Sequence, residues 1–244
     1  MKDKKYREYV LGFIAILMLW YLASLIVKLP IVPSPFRVIE ELFSLPFHRL
    51  GIHVLYSVLR IIEGLAISFV LGTSLGFLMG YFPLADRILS PLVYFSYPVP
   101  KIALLPVVML LMGLGEGAKV TMIVLIVVFQ ILVASRDAVR EIPKEAYYSL
   151  HSLGASSLQI FMEIVWPASL AKILTSMRVA LGTAISVLFF TETYGTEYGL
   201  GYFIMDAWMR VNYLEMYCGI LLLSIVGVLL FILVDAAQKR LVRW

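Results

Sequence analysis

Charge is scarce in this chain: Asp, Glu, Lys and Arg make up 15% of its 244 residues, against about 25% in an average soluble domain. With 61% hydrophobic residues and a mean hydropathy of +0.94, that scarcity excludes a soluble globule. Cysteine is scarcer still. Cys218 stands alone, so neither an intrachain disulfide nor a cysteine-based metal framework can form. His48, His53 and His151 are scattered with no partner at metal-ligand spacing, and no paired carboxylates or Ser/His/Asp constellation points to hydrolysis. A nucleotide loop is missing too: Gly113 to Thr121 reads GLGEGAKVT and has Ala118 where the second glycine of a phosphate cradle must stand. The net charge of +4 does not cluster on a soluble surface, so nucleic acid is not an expected partner. No metal site and no enzyme activity are expected of the chain itself.

What the sequence does contain is a series of apolar runs at about 9–27, 64–82, 88–112, 120–135, 171–191 and 216–234. Each approaches or exceeds the roughly 20 residues that cross a ~30 Å hydrocarbon core as a helix. The reading is an all-α polytopic membrane protein with six transmembrane helices in a lipid bilayer. The first run, Tyr9 to Val27, follows Lys2, Lys4, Lys5 and Arg7 and is 19 residues long. That exceeds the ~7–15 apolar residues of a cleaved signal, so a retained anchor is expected. Twelve Lys and Arg residues fall on one side of the predicted spans and six on the other (Lys28, Arg37, Arg49, Arg60, Lys119 and Arg210). The excess places both termini in the cytoplasm.

Several segments carry more detail. After Pro30, Pro33 and Pro35, Phe36, Ile39, Leu42 and Phe43 recur at helical spacing and predict an amphipathic helix on the outer face. Gly72, Gly76 and Gly80 form a small-residue face that admits a close helix neighbour, expected within the same subunit. The third run contains Pro91, Pro98, Pro100 and Pro106 with Lys101 near its centre. Prolines there break the helical ladder, which is tolerated at membrane depth only beside protein or a water-filled cavity. Charges inside spans are costly and should face a cavity or a polar partner. Lys101 and Arg178 are therefore pathway candidates together with Pro98, Pro100, Thr183, Ser186 and Glu192, each with an ordinary structural role as its alternative: a carbonyl or Glu192 as partner for Lys101, snorkelling or an inter-helix pair for Arg178.

The polar stretch 136–169 predicts two short helices joined at a glycine. Pro143 suits the first turn of one, Gly154 ends it, Ser156 can cap the second, and Pro167 is expected to stop that one at the membrane. Leu158, Ile160, Phe161 and Ile164 supply apolar anchors for a helix-in-groove contact.

Gly154-Ala155-Ser156, Ile164 ten residues after the glycine and Pro167 thirteen after it resemble the cytoplasmic EAA loop of type I ABC importer permeases. Pro33-Ser34-Pro35, the Pro98 to Pro106 stretch, Gly113-x-Gly115-Glu116, and Glu192 ahead of Gly199-Leu200-Gly201 extend the resemblance over nearly the whole chain, to the nitrate/sulfonate/taurine/bicarbonate branch. One departure stands out: the family's Glu would fall at Tyr148, whereas Glu145-Ala146 begins nine residues before Gly154. Glu145 lies one turn away on the same helical face and can carry the charge toward a partner.

The resemblance implies the type I ABC importer transmembrane fold, with a core over 53–237, an N-terminal tail, first span and outer helix over 1–52, and a cytoplasmic tail over 238–244. It implies a translocation pathway made by two permease copies, expected to be a homodimer, an external substrate-binding protein, and cytoplasmic ABC ATPase subunits that hold the ATP and Mg. Glu145, Tyr148, Ser149, Gly154, Ala155, Ser156, Leu158, Phe161, Ile164 and Pro167 would then couple to the ATPase. The substrate implied is a small anion such as a sulfonate, taurine, nitrate or bicarbonate. A secondary transporter subunit and a membrane anchor without a pathway are the alternatives from the residues alone.

Overall fold

The computed structural model describes residues 2–242. Met1, Arg243 and Trp244 lie outside the described residues, as do the side chains of residues 2–6, 9 and 151, so the sequence readings of Lys2, Lys4, Lys5, His151 and Arg243 fall outside them. The described residues are almost entirely helical: α1 (Lys2–Val27), α2 (Pro35–Ser44), α3 (Phe47–Tyr81), α4 (Pro83–Ser96), a 3-10 turn (Lys101–Leu104), α5 (Leu105–Met112), α6 (Glu116–Arg140), α7 (Lys144–Ser152), α8 (Ser157–Ile160), a π turn (Phe161–Val165), α9 (Trp166–Glu192), α10 (Leu200–Met209) and α11 (Tyr213–Leu241). Five helical stretches are long and apolar enough to cross a membrane, and a sixth crossing exists if α4 and the segment 101–112 count as one span.

The packed centre is the trio α3, α6 and α9. Ile61, Met122, Ile123, Val127, Ile131, Ile173, Leu181 and Leu188 are fully buried there. The glycines of α3 make this contact possible: a Cβ on Gly72 would lie 2.9 Å from Ile131, on Gly76 2.5 Å from the Leu132 carbonyl, and on Gly80 2.6 Å from Val139. Gly64, outside the stripe read from the sequence, meets Ile123 in the same way at 2.5 Å. The seam lies inside one chain, between α3 and α6.

The other elements lean on this trio. In α2, Val38 is buried while Phe36 and Phe43 are 69% exposed, the two-sided pattern its spacing predicts. The α1 helix touches its neighbours through few groups: Trp20 stacks on Tyr217 of α11 at 5.7 Å and donates its indole N–H to the Pro33 carbonyl. Much of its apolar surface, including Leu11, Phe13 and Ile16, is exposed, as expected where lipid replaces water as the solvent.

Three sequence expectations need correction. The α3 helix begins at Phe47, not near Gly64, so the boundary expected between 52 and 53 cuts a continuous helix. Polar residues such as His53 and Arg60 mask its first turns in the sequence, yet they are 5% and 1% exposed. Arg60 and Lys119, counted among loop charges, are both 1% exposed inside α3 and α6. The third span is broken where its prolines predict: α4 and 101–112 meet at 82° across Tyr97–Pro100, while Pro91 sits inside α4 and Pro106 in the first turn of α5. Pro167, finally, does not end a helix. It occupies the first turn of α9, which continues α8 without interruption through the π turn. There the Trp166 N–H reaches the Phe161 carbonyl five residues back; widening the helix by one residue gives the proline ring room and needs no N–H from it. The other span limits lengthen by a few residues, and α11 carries through Gln238 to Leu241, so part of the expected tail is helix.

Candidate functional site

Three places hold the residues that carry chemistry, and each follows from an end or break of a helix. The first lies where α3, α6, α9 and α10 meet. Arg60 reaches Glu116 with two N–H groups, Nε–Oε2 at 2.5 Å and Nη2–Oε1 at 2.6 Å, and donates from Nη1 to Glu192 at 2.7 Å and to the Tyr198 carbonyl at 2.8 Å. Glu192 is fully buried. Its carboxylate also accepts from the Gly201 N–H at 2.8 Å, with the Ser57 hydroxyl 2.8 and 2.9 Å from its two oxygens. Gly199 has φ +128°, and a Cβ there would lie 2.4 Å from the Glu192 carboxyl carbon. The Gly199-Leu200-Gly201 motif is thus glycine-rich because a carboxylate fills the space of its side chains. Lys119 donates to the carbonyls of Leu114, Gly115 and Gly195, and the Gly199 N–H donates to His53 Nδ1 at 3.1 Å. This cluster ties the loop 193–199 to α3 and α6. It keeps Glu192 fully buried and outside the lining of the cavity beside Lys101, and Arg60 and Ser57 are members that the sequence reading missed. A Gly-x-Gly pair, Gly199 and Gly201, a few residues after the intramembrane Glu192 was the signal that could have found them.

The second place is the inner angle of the broken span. Its kink leaves the carbonyls of Ser96 and Tyr97 without helical partners, and Lys101 Nζ donates to them at 2.8 and 3.4 Å. The ammonium also lies 4.6 Å from the centroid of the Phe129 ring, a cation–π distance. A cavity of about 380 Å³ opens beside it between the break, α6 and α9, and brings Lys101 together with Thr183 and Ser186. Gln130, which the sequence reading did not single out, completes the polar wall and donates to Thr183 Oγ1 at 3.1 Å. Pro98 and Pro100 shape the break without lining this cavity, and Arg178 lies elsewhere, ion-paired with Asp235 of α11. A larger hollow of about 600 Å³, at the α1–α2 turn and the start of α11, shares no residue with it.

The third place is the hinged segment between α6 and α9. Gly154, at φ +75°, ends α7, and the Ala155 N–H returns to the Leu150 carbonyl. Ser156 then caps α8 in a reciprocal box with Gln159. Glu145, Tyr148 and Ser149 share the exposed face of α7, and Leu158 is 71% exposed at the start of α8. Not every expected anchor faces outward. Ile160 is buried, and Phe161 is half-buried with its ring edge-on to Phe77 of α3 at 5.4 Å; Ile164 and Pro167 are half-buried beside them. The continuous helix explains this, because the π turn rotates residues 160–161 toward the bundle. On α7, Tyr147 packs against the core, and burial pushes its phenol pKa up. The hinge and the Glu192 cluster sit at opposite ends of the bundle, since α3 and α6 run from the cluster toward the hinge and α9 runs back.

Comparison with known proteins agrees with this architecture. Residues 68–244 match the family described as the binding-protein-dependent transport system inner membrane component. The chain is 29% identical to the taurine transport system permease protein TauC of Escherichia coli over 96% of this chain and 88% of that one. It is 28% identical to the formylaminopyrimidine transport permease protein ThiX of Halalkalibacterium halodurans, over 97% and 95%. Among solved structures, the inward-facing MetNI methionine ABC transporter superposes with a TM-score of 0.70 at 20% identity, over 80% of this chain and 96% of that one, a likeness of fold.

Proposed function

The chain belongs to the binding-protein-dependent transport system inner membrane component family and is a multi-pass membrane permease subunit of an ABC importer; from that membership we propose that it lines the translocation pathway and couples to a separate ATPase through the segment 143–167. The observation that carries the coupling reading is the exposed face formed by Glu145, Tyr148, Ser149 and Leu158 around the Gly154 hinge. A solvated loop resting on lipid has no need of a glycine at positive φ followed by a reciprocal cap. Both of these fix the angle between two short helices, as a groove-docking element requires.

In this proposal two copies meet across the membrane as a homodimer, with an external binding protein on the Glu192 side and ATPases, holding ATP and Mg, under the hinge. Both termini are then cytoplasmic. The pathway side is the Lys101 cavity, and the substrate is a small anion of the sulfonate, taurine, nitrate or bicarbonate kind. Exposed Glu145 stands in for the carboxylate that the family carries at the position of Tyr148. The test is copurification of a tagged chain from its native host. The wild type brings down a P-loop ATPase; Gly154→Pro and Leu158→Asp insert normally but lose it, or retain it with ATP hydrolysis uncoupled from uptake. A chain that carries substrate with no ATPase attached would make this a secondary transporter and sink the proposal.

A further inference from the structure

We infer that the cavity beside Lys101 binds an organic monoanion with an apolar body, its acidic head on Lys101, in preference to an inorganic anion or a zwitterion; the inference rests on the permease reading and narrows its substrate. Charge comes first. Of the residues around the cavity only Lys101 is charged at neutral pH, and two carbonyls occupy two of its three donors, leaving one for a ligand oxygen. No carboxylate lines the space, so a ligand's ammonium would meet the Lys101 charge without an ionic partner of its own.

The walls decide the rest. Six of the cavity's eleven lining residues are apolar, Val99, Ile102, Ile126, Phe129, Val187 and Phe190, and besides Lys101 the polar side chains are Tyr97, Ser186 and the Gln130–Thr183 pair, whose members already bond each other at 3.1 Å. The volume of about 380 Å³ is about thirteen times the share of one water molecule in the liquid, ~30 Å³. Nitrate or bicarbonate on Lys101 would leave most of the apolar wall against water. An alkyl or aryl chain of a few carbons removes that wall from water.

The experiment uses the copurified permease–ATPase complex in nanodiscs, titrated with methane- to hexanesulfonate and taurine and read by saturation-transfer NMR against empty nanodiscs; nitrate and bicarbonate, which carry no observable proton, are read by their displacement of the propane-1-sulfonate signal. Affinity is expected to rise up to about fourfold per methylene, the transfer value for a buried CH₂. Taurine should bind at least tenfold more weakly than propane-1-sulfonate, which has the same heavy-atom count with a methyl in place of the ammonium, and nitrate and bicarbonate should be weaker still. Lys101→Met should lose at least tenfold for every sulfonate while Lys101→Arg keeps binding, and Phe190→Ala, at a half-exposed position, should flatten the chain-length slope. Equal binding of taurine and propane-1-sulfonate, nitrate as tight as either, or a Lys101→Met complex that binds normally would each overturn the inference. Any of these in a complex that still copurifies with its ATPase leaves the permease reading intact; only a wild-type chain without an ATPase touches that.

Discussion

Removing Arg60 should destabilise this chain more than any other single charge deletion, and the structure separates the two halves of its ion-pair system. Arg60 is held by Glu116, whose side chain is 53% exposed, and by Glu192, whose side chain is fully buried. Losing Glu116, whose carboxylate reaches solvent, still leaves Arg60 paired with Glu192 and should cost nearer the about 0–1 kcal/mol of a solvent-screened pair. Breaking the buried pair costs about 3–5 kcal/mol because it orphans a charge. Arg60→Met should therefore cost about 3–5 kcal/mol, and Glu116→Gln less than about 1. At about 2–4 °C per kcal/mol for a chain of this size, the Arg60 loss is a fall of roughly 6–20 °C in Tm.

The origin of the cost can be tested in the same series. If the orphaned Glu192 carboxylate is responsible, Arg60→Met with Glu192→Gln should regain about 2 kcal/mol, because the amide oxygen can still accept from Gly201 while the buried charge is gone. Thermal unfolding in detergent, followed by size-exclusion of the remaining monodisperse protein, measures all three variants side by side. A double variant no more stable than Arg60→Met, or a Glu116→Gln variant as damaged as Arg60→Met, would show that burial of charge is not what the cluster is built around.

Two further variants probe the seam and the hinge. Gly76→Leu should fail to yield folded protein, because even its Cβ would fall 2.5 Å from the α6 backbone carbonyl of Leu132; a monodisperse wild-type-like profile would mean that α3 and α6 do not touch there. Tyr148→Glu should leave ATPase copurification within about twofold of the wild type, since the position is exposed and Glu145 lies one turn away on the same face; loss of the ATPase would show a partner groove shaped for tyrosine.

The long apolar runs made the helices legible, because hydropathy reports directly on what a lipid environment accepts. Their ends were less so. The α3 helix begins far earlier than its apolar run because His53 and Arg60 look like loop residues until their partners, Gly199 and the two glutamates, are brought in from more than fifty positions away. A one-dimensional pattern cannot carry that pairing. The Pro98 to Pro106 break was legible from proline chemistry alone, but Gln130 was not, since a lone glutamine in an apolar run gives no sign of the cavity it faces. At the hinge, Gly154 and the Ser156 cap stand where local rules put them. Pro167 does not act as those rules suggest, because the π turn removes the clash that makes proline a stop signal.

One helix joins the three places. The α9 helix carries Glu192 at one end and Thr183 and Ser186 in the cavity wall, and at its other end it continues through the π turn into α8 and the hinge. Nine residues separate Thr183 from Glu192, about 13 Å along an α-helix. The Glu192 cluster fixes the rotation of α9 about its axis, because a carboxylate bonded to Ser57, Arg60 and Gly201 cannot turn without breaking a buried ion pair. At the hinge end the regular i to i−4 ladder gives way to the π turn, with the Trp166 N–H on the Phe161 carbonyl. If the hinge docks a partner as proposed, a push on α8 would meet the π turn before the part of α9 that the Glu192 cluster fixes, and the cavity hydroxyls lie on that fixed part.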